Sequence, residues 1–252
     1  MYLHPLTSCL PQFERDDLKK AVDVRSYKRN QYLLASGQRS QSIFCVATGL
    51  LRVALQGQGN HEEVTTDFIR PDEFFLPPSL RHDDFESPAT VIAALPTVVY
   101  AIPLRHVRML CAKYPDLLIG LLEHESRRIG ILRTQLRRVT TSSVEKLVSR
   151  VLHELTQLAP SENGGYDKRI TQALIASYAG ISREMVNKTM KDMENRGLVT
   201  KDDQGIRVPP SFASTDFGSP WPPEPGPPKK EAPGVDPSFD IDLLKKQRGE
   251  AP

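Results

Sequence analysis

The pattern of apolar and polar positions divides the chain into stretches of different period. The first two dozen residues read as a helix ending near Val24. From Tyr27 to Pro103 the apolar runs are short: Tyr32 to Leu34, Ile43 to Val46, Leu50 to Leu55, Val64 to Phe68, Thr90 to Leu95 and Val98 to Ile102. Turn residues separate them at Ser36-Gly37, Thr48-Gly49, Gln56-Gly57-Gln58-Gly59-Asn60 and Arg70-Pro71-Asp72. Short strands so punctuated predict a closed antiparallel barrel or jelly roll. From Asp116 to Val139 the period lengthens. Leu118, Leu122, Glu125, Ile129, Leu132, Leu136 and Val139 recur with four-three alternation over three heptads, the seam of a two-stranded coiled coil. A helix packed on its own domain is the competing reading. Glu125, the polar member, either sets register or belongs to an effector site beside the helix.

A further helix runs from Ser142-Ser143-Val144-Glu145 through Leu147, Val151, Leu155 and Leu158 to Pro160, with Ser142 and Glu145 spaced as a capping box. The loop Ser161 to Asp167 leads into two short helices between Ile170 and Val199. Thr171 is placed as N-cap of the first, whose apolar residues are Leu174, Ile175 and Tyr178, and Gly180 ends it in the left-handed conformation that favours glycine. Ser182 caps the second. Val186, Thr189, Met190 and Met193 form its inward stripe, and Arg183, Glu184, Asn187, Lys188 and Lys191 its outer face. Such a helix fits the DNA major groove, although helix pairs of this kind also occur in proteins that bind no DNA. Beyond it, Leu198-Val199-Thr200 and Ile206-Arg207-Val208 flank Asp202-Asp203-Gln204-Gly205, a hairpin signal that reads as a wing.

Composition narrows the function. A chain of 252 residues with 39% hydrophobic composition can build two modest cores. The formal net charge is only +2, so binding to double-stranded DNA has to rest on local patches, for which Arg127, Arg128, Arg133, Arg137, Arg138, Lys168 and Arg169 are candidates. Cys9, Cys45 and Cys111 lie far apart and are odd in number, which argues against a disulfide framework or a zinc site; no metal is expected. No run is long and apolar enough to span a membrane, and the N-terminus becomes charged too early for a secretory signal, so a cytoplasmic location is expected. Enzyme motifs are missing: His124-Glu125-Ser126-Arg127-Arg128 starts like a zinc-protease helix but lacks the second histidine, and the six histidines are scattered. About half of the 21 prolines fall from Pro209 onward, which predicts an extended, disordered tail with a short helix-forming segment at Phe239 to Lys246.

The run Gly180-Ile181-Ser182-Arg183-Glu184-Met185-Val186-Asn187-Lys188, followed by Met193-Glu194-Asn195-Arg196-Gly197-Leu198-Val199, closely resembles the DNA-binding segment of the cyclic AMP receptor protein/FNR superfamily of bacterial transcription regulators. In that family a Ser-Arg-Glu-x-x-x-Arg helix reads a TGTGA-like half-site. Ser182, Arg183 and Glu184 match; Lys188 replaces the final arginine, and a lysine lacks the bidentate fork that reads guanine. Leu174 stands where the family often has an acidic residue completing a capping box.

The resemblance implies an α+β chain. Its expected parts are a cyclic-nucleotide-binding-like β jelly roll as sensor (residues 1–115), a long dimerisation helix (116–140), a winged helix-turn-helix DNA-binding domain (141–210) and the Pro-rich tail (211–252). It places Arg183, Glu184, Asn187 and Lys188 on base edges, and Thr171, Gln172, Ser182 and Lys191 on phosphates. In the roll it rests on Gly37, Gly49 and Pro71-Asp72-Glu73-Phe74-Phe75. There the family's phosphate cassette breaks down: Leu76-Pro77-Pro78 stands for Gly-Glu, and Ser87-Pro88-Ala89 for Arg-Ser-Ala. A cyclic phosphate loses its charged partner, and proline removes a backbone donor, so cyclic AMP is disfavoured. Arg81 and His82 nominate no site.

The expected protein is a homodimeric regulator of palindromic sites that acts on RNA polymerase. No cofactor is evident and the effector stays open. A cyclic di-GMP-responsive regulator and an effector-independent scaffold with a partner-recruiting tail are the alternatives.

Overall fold

The computed structural model describes residues 5–57, 63–141, 143–162, 164–203, 205–209 and 212. The side chains of 134, 135 and 137–141 lie outside the description, so Val139 of the seam and Arg137 and Arg138 of the basic patch cannot be placed; the predicted tail also lies outside it, Phe212 excepted.

Helix α1 (Gln12–Ala21) precedes the roll strands β1 (Asp23–Tyr27), β2 (Tyr32–Leu34), β3 (Arg39–Ser40), β4 (Ser42–Thr48), β5 (Leu51–Gln56), β6 (Glu63–Ile69), β7 (Phe74–Phe75), β8 (Phe85–Glu86), β9 (Thr90–Ala93) and β10 (Thr97–Pro103). Two antiparallel four-stranded sheets have the orders β1-β10-β4-β7 and β2-β9-β5-β6, and β3 and β8 form a separate two-stranded pair. Their inner faces supply Phe44, Val46, Leu51, Ile69, Val91 and Val99, all fully buried. Gly49 turns β4 into β5 at φ +90°, and a Cβ there would lie 2.2 Å from the Pro96 carbonyl oxygen, so the Thr-Gly turn requires glycine for space as well as conformation. At the predicted turn Arg70-Pro71-Asp72, Arg70 binds Glu73 through side chain and backbone, with Asp72 left-handed between them.

The N-terminal helix stops at Ala21, three residues before the expected end, and β1 follows at once. That strand is an exposed edge, paired only with β10, so it carries no buried alternation for sequence reading to detect.

After the roll come α2 (Leu104–Lys113) and α3 (Pro115–Thr141), the latter opening on a proline at the position where its missing N–H does no harm. One side of α3 joins the roll core through Leu117 and Leu121. Leu118, Leu122, Ile129, Leu132 and Leu136 lie exposed, Leu122 by 65% and Leu136 by 68%. Glu125 departs from that row: it is half-buried, with Oε1 shielded from solvent.

The last part contains α4 (Val144–Leu158), β11 (Tyr166–Asp167), α5 (Gln172–Ala179), α6 (Arg183–Asn195), β12 (Thr200–Lys201) and β13 (Gly205–Arg207). Its core joins Val148, Leu152 and Leu155 of α4 to Ile175 of α5 and Val186, Met190 and Met193 of α6. The hydroxyl that caps α4 is that of Ser143, which accepts from the Lys146 N–H; the expected Ser142 lies outside the described residues. Adjacent serines make the two registers nearly equivalent in sequence. The stretch read as a plain loop from Ser161 to Asp167 contains β11, which pairs with β13 and widens the wing into three strands, β11-β13-β12. Two-residue strands carry too little periodicity to be legible.

Candidate nucleic-acid interface

Both N-caps of the helix pair form as the sequence predicts. The Thr171 hydroxyl accepts from the Leu174 N–H at 3.3 Å, and the Ser182 hydroxyl accepts from the Met185 N–H at 3.2 Å. Between them Gly180 adopts φ +68°, and the Ile181 N–H reaches back to the Ala176 carbonyl at 3.2 Å, which closes α5 and aims α6. Val186, Met190 and Met193 are buried and Thr189 is half-buried, so the inward stripe of α6 is anchored. Arg183, Glu184, Asn187, Lys188 and Lys191 are consequently exposed on the opposite face. The Thr171 hydroxyl still has its own proton to donate, the kind of group that holds a phosphate oxygen, whereas the Ser182 hydroxyl turns its proton to the Glu184 carboxylate.

Two contacts within this face were invisible in the sequence. The Gln172 side-chain amide donates to Asn187 Oδ1 at 3.3 Å and ties the start of α5 to the outer face of α6. The Glu184 carboxyl is held below the ordinary carboxylate range by its own backbone N–H, by the Ser182 hydroxyl and by Arg183. It therefore presents an acceptor, as cytosine N4–H requires.

The basic patch is less uniform than the sequence implied. Arg127 and Arg133 are exposed. Arg169 is bound by both oxygens of Asp167, which lowers the carboxyl's pKa, and Lys168 donates to the Asp203 carbonyl of the wing. Arg128 turns away from solvent: its Nε pairs with Asp67 of β6 and its Nη1 donates to the Phe74 carbonyl at 2.9 Å. Charge counting cannot separate an arginine on a solvent face from one that crosslinks a helix to a sheet.

That crosslink belongs to a junction where β6, α3, α4 and α5 meet around a cleft of about 450 Å³. Phe68 and Tyr178 stack edge to face at 4.8 Å, and the Tyr178 hydroxyl donates to Glu154 at 3.0 Å. The Ser177 hydroxyl accepts from the Thr65 N–H at 2.8 Å and donates to the Glu63 carbonyl at 2.5 Å, so α5 docks on the edge of β6. Burial raises the Asp67 carboxyl above its usual range against the pull of Arg128. It does the same to Glu125, whose Oε1 has no hydrogen-bond partner among the described residues.

At the position of a cyclic-nucleotide phosphate cassette the structure places Phe75 and Phe85, with ring centroids 6.4 Å apart, and buried Ser87, whose hydroxyl donates to the Ala89 carbonyl at 2.6 Å. The loop between β7 and β8 is tied down by Arg108 on Asp83 at 2.8 Å and Arg39 on Asp84 at 3.4 Å. Arg81 and His82 are exposed on it. Cys9 is exposed; Cys45 and Cys111 are buried thiols, and burial pushes Cys45 up to about 12. Among the described residues no cluster of His, Cys, Asp and Glu is arranged to hold a metal ion.

Comparison with known proteins matches this arrangement on both sides of α3. The family model for the cyclic nucleotide-binding domain matches residues 24–114, and that for the Crp-like helix-turn-helix domain matches residues 145–209. The cAMP-activated global transcriptional regulator CRP of Pasteurella multocida is 22% identical over 187 residues, covering 73% of this chain and 89% of the relative. A CRP-like cAMP-activated global transcriptional regulator of Mycobacterium tuberculosis is 24% identical over 196 residues, with 76% and 86% covered. Among solved structures, FixK2 from Bradyrhizobium japonicum superposes with a TM-score of 0.67 at 13% identity, over 77% of this chain and 94% of that one. The c-di-GMP responsive global regulator CLP of Xanthomonas campestris gives 0.65 at 16% identity, over 79% and 99%. These relatives are transcription regulators and not enzymes. With a roll of cyclic-nucleotide-binding type and a helix pair of Crp type in the same order, the chain belongs to the Crp/Fnr family of DNA-binding transcription regulators.

Proposed function

We propose that the protein acts as a homodimer that lays one α6 from each copy into a palindromic DNA site, under an effector other than cyclic AMP. The observation that carries this reading is the division of α6 into a buried stripe of Val186, Met190 and Met193 and an exposed face of Arg183, Glu184, Asn187 and Lys188. Arg183 is assigned to guanine, Glu184 to a cytosine amino group, and Asn187 and Lys188 to neighbouring edges. Thr171, Gln172, Ser182 and Lys191 fix the register on phosphates. A palindrome needs a twofold axis, and the exposed row Leu118, Leu122, Ile129, Leu132 and Leu136 on α3 is the surface suited to a second copy. RNA polymerase is the expected partner of the DNA-bound dimer. No helix among the described residues is long and apolar enough to cross a membrane, in keeping with action on DNA in the cytoplasm.

Cyclic AMP is disfavoured because Phe75, Phe85 and Ser87 occupy the cassette position and offer its phosphate no cation. Exposed Arg127 and Arg133 on α3 support cyclic di-GMP as a second reading, since guanidinium groups pair with phosphodiesters. The test is a gel shift on a bound duplex titrated separately with cyclic AMP, cyclic GMP and cyclic di-GMP. Cyclic AMP should leave the DNA affinity unchanged. Micromolar cyclic AMP that tightens DNA binding would overturn the reading of the roll, and by linkage DNA would then tighten cyclic AMP binding equally. A shift by none of the three supports the effector-independent scaffold.

A further inference from the structure

Helix α1 covers the outer face of the first sheet only in part. Arg15, Leu18, Lys19 and Val22 fall at i, i+3, i+4 and i+7, so they form one stripe along α1 and its C-cap. Leu18 is buried and Val22 packs against the roll core, while Arg15 and Lys19 flank them. Opposite the stripe, Val24 of β1 pairs with Tyr100 of β10, which sends both side chains to the same face of the sheet. The neighbours of Tyr100 along β10, Val99 and Ala101, are fully buried inside the roll, so the shared face is the outer one. Between helix and strands lies a cleft of about 310 Å³, lined by Leu18, Val22, Val24 and Tyr100. Val24 stays 59% exposed on its wall.

The charge around this apolar space has one sign. Arg15 and Lys19 also line the cleft, and no acidic side chain among the described residues does. Arg15 is fixed in place, because its Nε donates to the Leu10 carbonyl at 2.8 Å and its Nη2 to the Ser8 carbonyl at 3.2 Å. Lys19 is exposed beside it. Apolar walls below two cations suit a molecule with an apolar body and an anionic head, which covers Val24 and accepts a charge-assisted hydrogen bond from Lys19. The volume sits at the lower end of the range of small-molecule sites, about 300–1,000 Å³. A peptide helix, whose anchors repeat over i, i+3/i+4 and i+7, needs a longer groove. We propose that the cleft between α1 and the outer face of β1 and β10 binds a small aliphatic carboxylate, its chain against Val22, Val24 and Tyr100 and its head group on Lys19 and Arg15. The site shares no residue with the cassette position at Phe75 and Ser87 or with α6, so it stands apart from the role assigned to Arg183. Thr7, a further lining residue, ends a single turn of 3-10 helix, Pro5–Thr7. The neighbouring Leu6 lies so close to α3 that a Cβ on Gly120 would meet its Cδ2 at 2.6 Å. The ligand therefore sits beside the contact between the N-terminal turn and the helix that carries the exposed leucine row.

Calorimetry on the full chain tests the site with decanoate, below its micelle concentration and at low ionic strength. The expected result is saturable binding of one decanoate per chain. Binding should weaken about tenfold in Lys19→Gln, the equivalent of one charge-assisted hydrogen bond, and persist in Lys19→Arg. Lys19→Gln should melt at the wild-type temperature. Val24→Asp, which puts a negative charge on the apolar wall at an exposed position, should abolish binding. Decyltrimethylammonium, with the same chain and the opposite charge, should show no saturable binding. Absence of saturable decanoate binding in wild type, or equal binding in Lys19→Gln or in Val24→Asp, overturns the proposal. So does binding of decyltrimethylammonium as tight as that of decanoate, which would make the cleft an apolar surface without a head-group site.

Discussion

Replacing Arg128 by methionine should destabilise the protein by about 3–5 kcal/mol at pH 7, the cost of breaking a buried ion pair from one side. The size follows from the surroundings. The side chains of Arg128 and Asp67 are 19% and 13% exposed, and the guanidinium is also the donor to the Phe74 carbonyl. Methionine keeps most of the packed stem, so the lost term is the charge and its hydrogen bonds. It leaves the Asp67 carboxylate with the Phe68 N–H, at 2.7 Å, and with Glu125 close enough to feel its charge. Removing the carboxylate as well, in Arg128→Met with Asp67→Leu, should recover most of the loss and bring the double variant to within about 1–2 kcal/mol of wild type. Urea unfolding at fixed protein concentration measures all three differences. The pH dependence has a definite sign. Burial already raises the folded pKa of Asp67, and loss of Arg128 raises it further; the part of the penalty that comes from the Asp67 charge is therefore absent below the unfolded value near pH 4 and complete above the folded one, while the lost bond to the Phe74 carbonyl does not vary with pH. A single variant that costs less than about 1 kcal/mol, or a double variant no more stable than the single, would refute the reasoning.

Glu125→Gln should raise the melting temperature at pH 7, with the gain vanishing below about pH 4, because burial holds the carboxyl above its usual range and protonation already removes the charge there. Gly180→Ala meets no atom within 4 Å, so thermal unfolding should show only the left-handed backbone penalty of about 1–2 kcal/mol. Leu122→Glu places a charge in the exposed row of α3; in sedimentation velocity the wild type should sediment as the proposed dimer and the variant as a monomer, with the far-UV circular dichroism unchanged.

The parts of this molecule that were legible in the sequence are those whose signal is local or periodic. Thr171, Gly180 and Ser182 are each dictated by a neighbouring backbone group three or four residues away, and the helix pair could be outlined from them. Strands β2, β4, β5, β6, β9 and β10 follow the apolar runs because their inner faces are buried. What escaped was long-range. Strand β1 is held by its ladder to β10 without burying an alternate face, and β3, β7, β8 and β11 are two residues long. Contacts such as Ser177 with Glu63 and Arg128 with Asp67 join residues far apart in sequence, and no residue type announces them. Glu125 is the instructive case. Heptad spacing put it in the seam, and the structure places it half-buried, near enough to Asp67 and Arg128 for their charges to act on it.

The most direct measurement is selection of bound sequences from a random duplex library by the wild-type protein and by Arg183→Ala. Wild type should enrich a twofold-symmetric motif, with half-sites about one duplex turn, roughly 10–10.5 base pairs, apart. Arg183→Ala should lose discrimination at one guanine position per half-site, equivalent to about 1–3 kcal/mol. An asymmetric motif, no enrichment, or an identical motif from Arg183→Ala would contradict palindrome reading through α6.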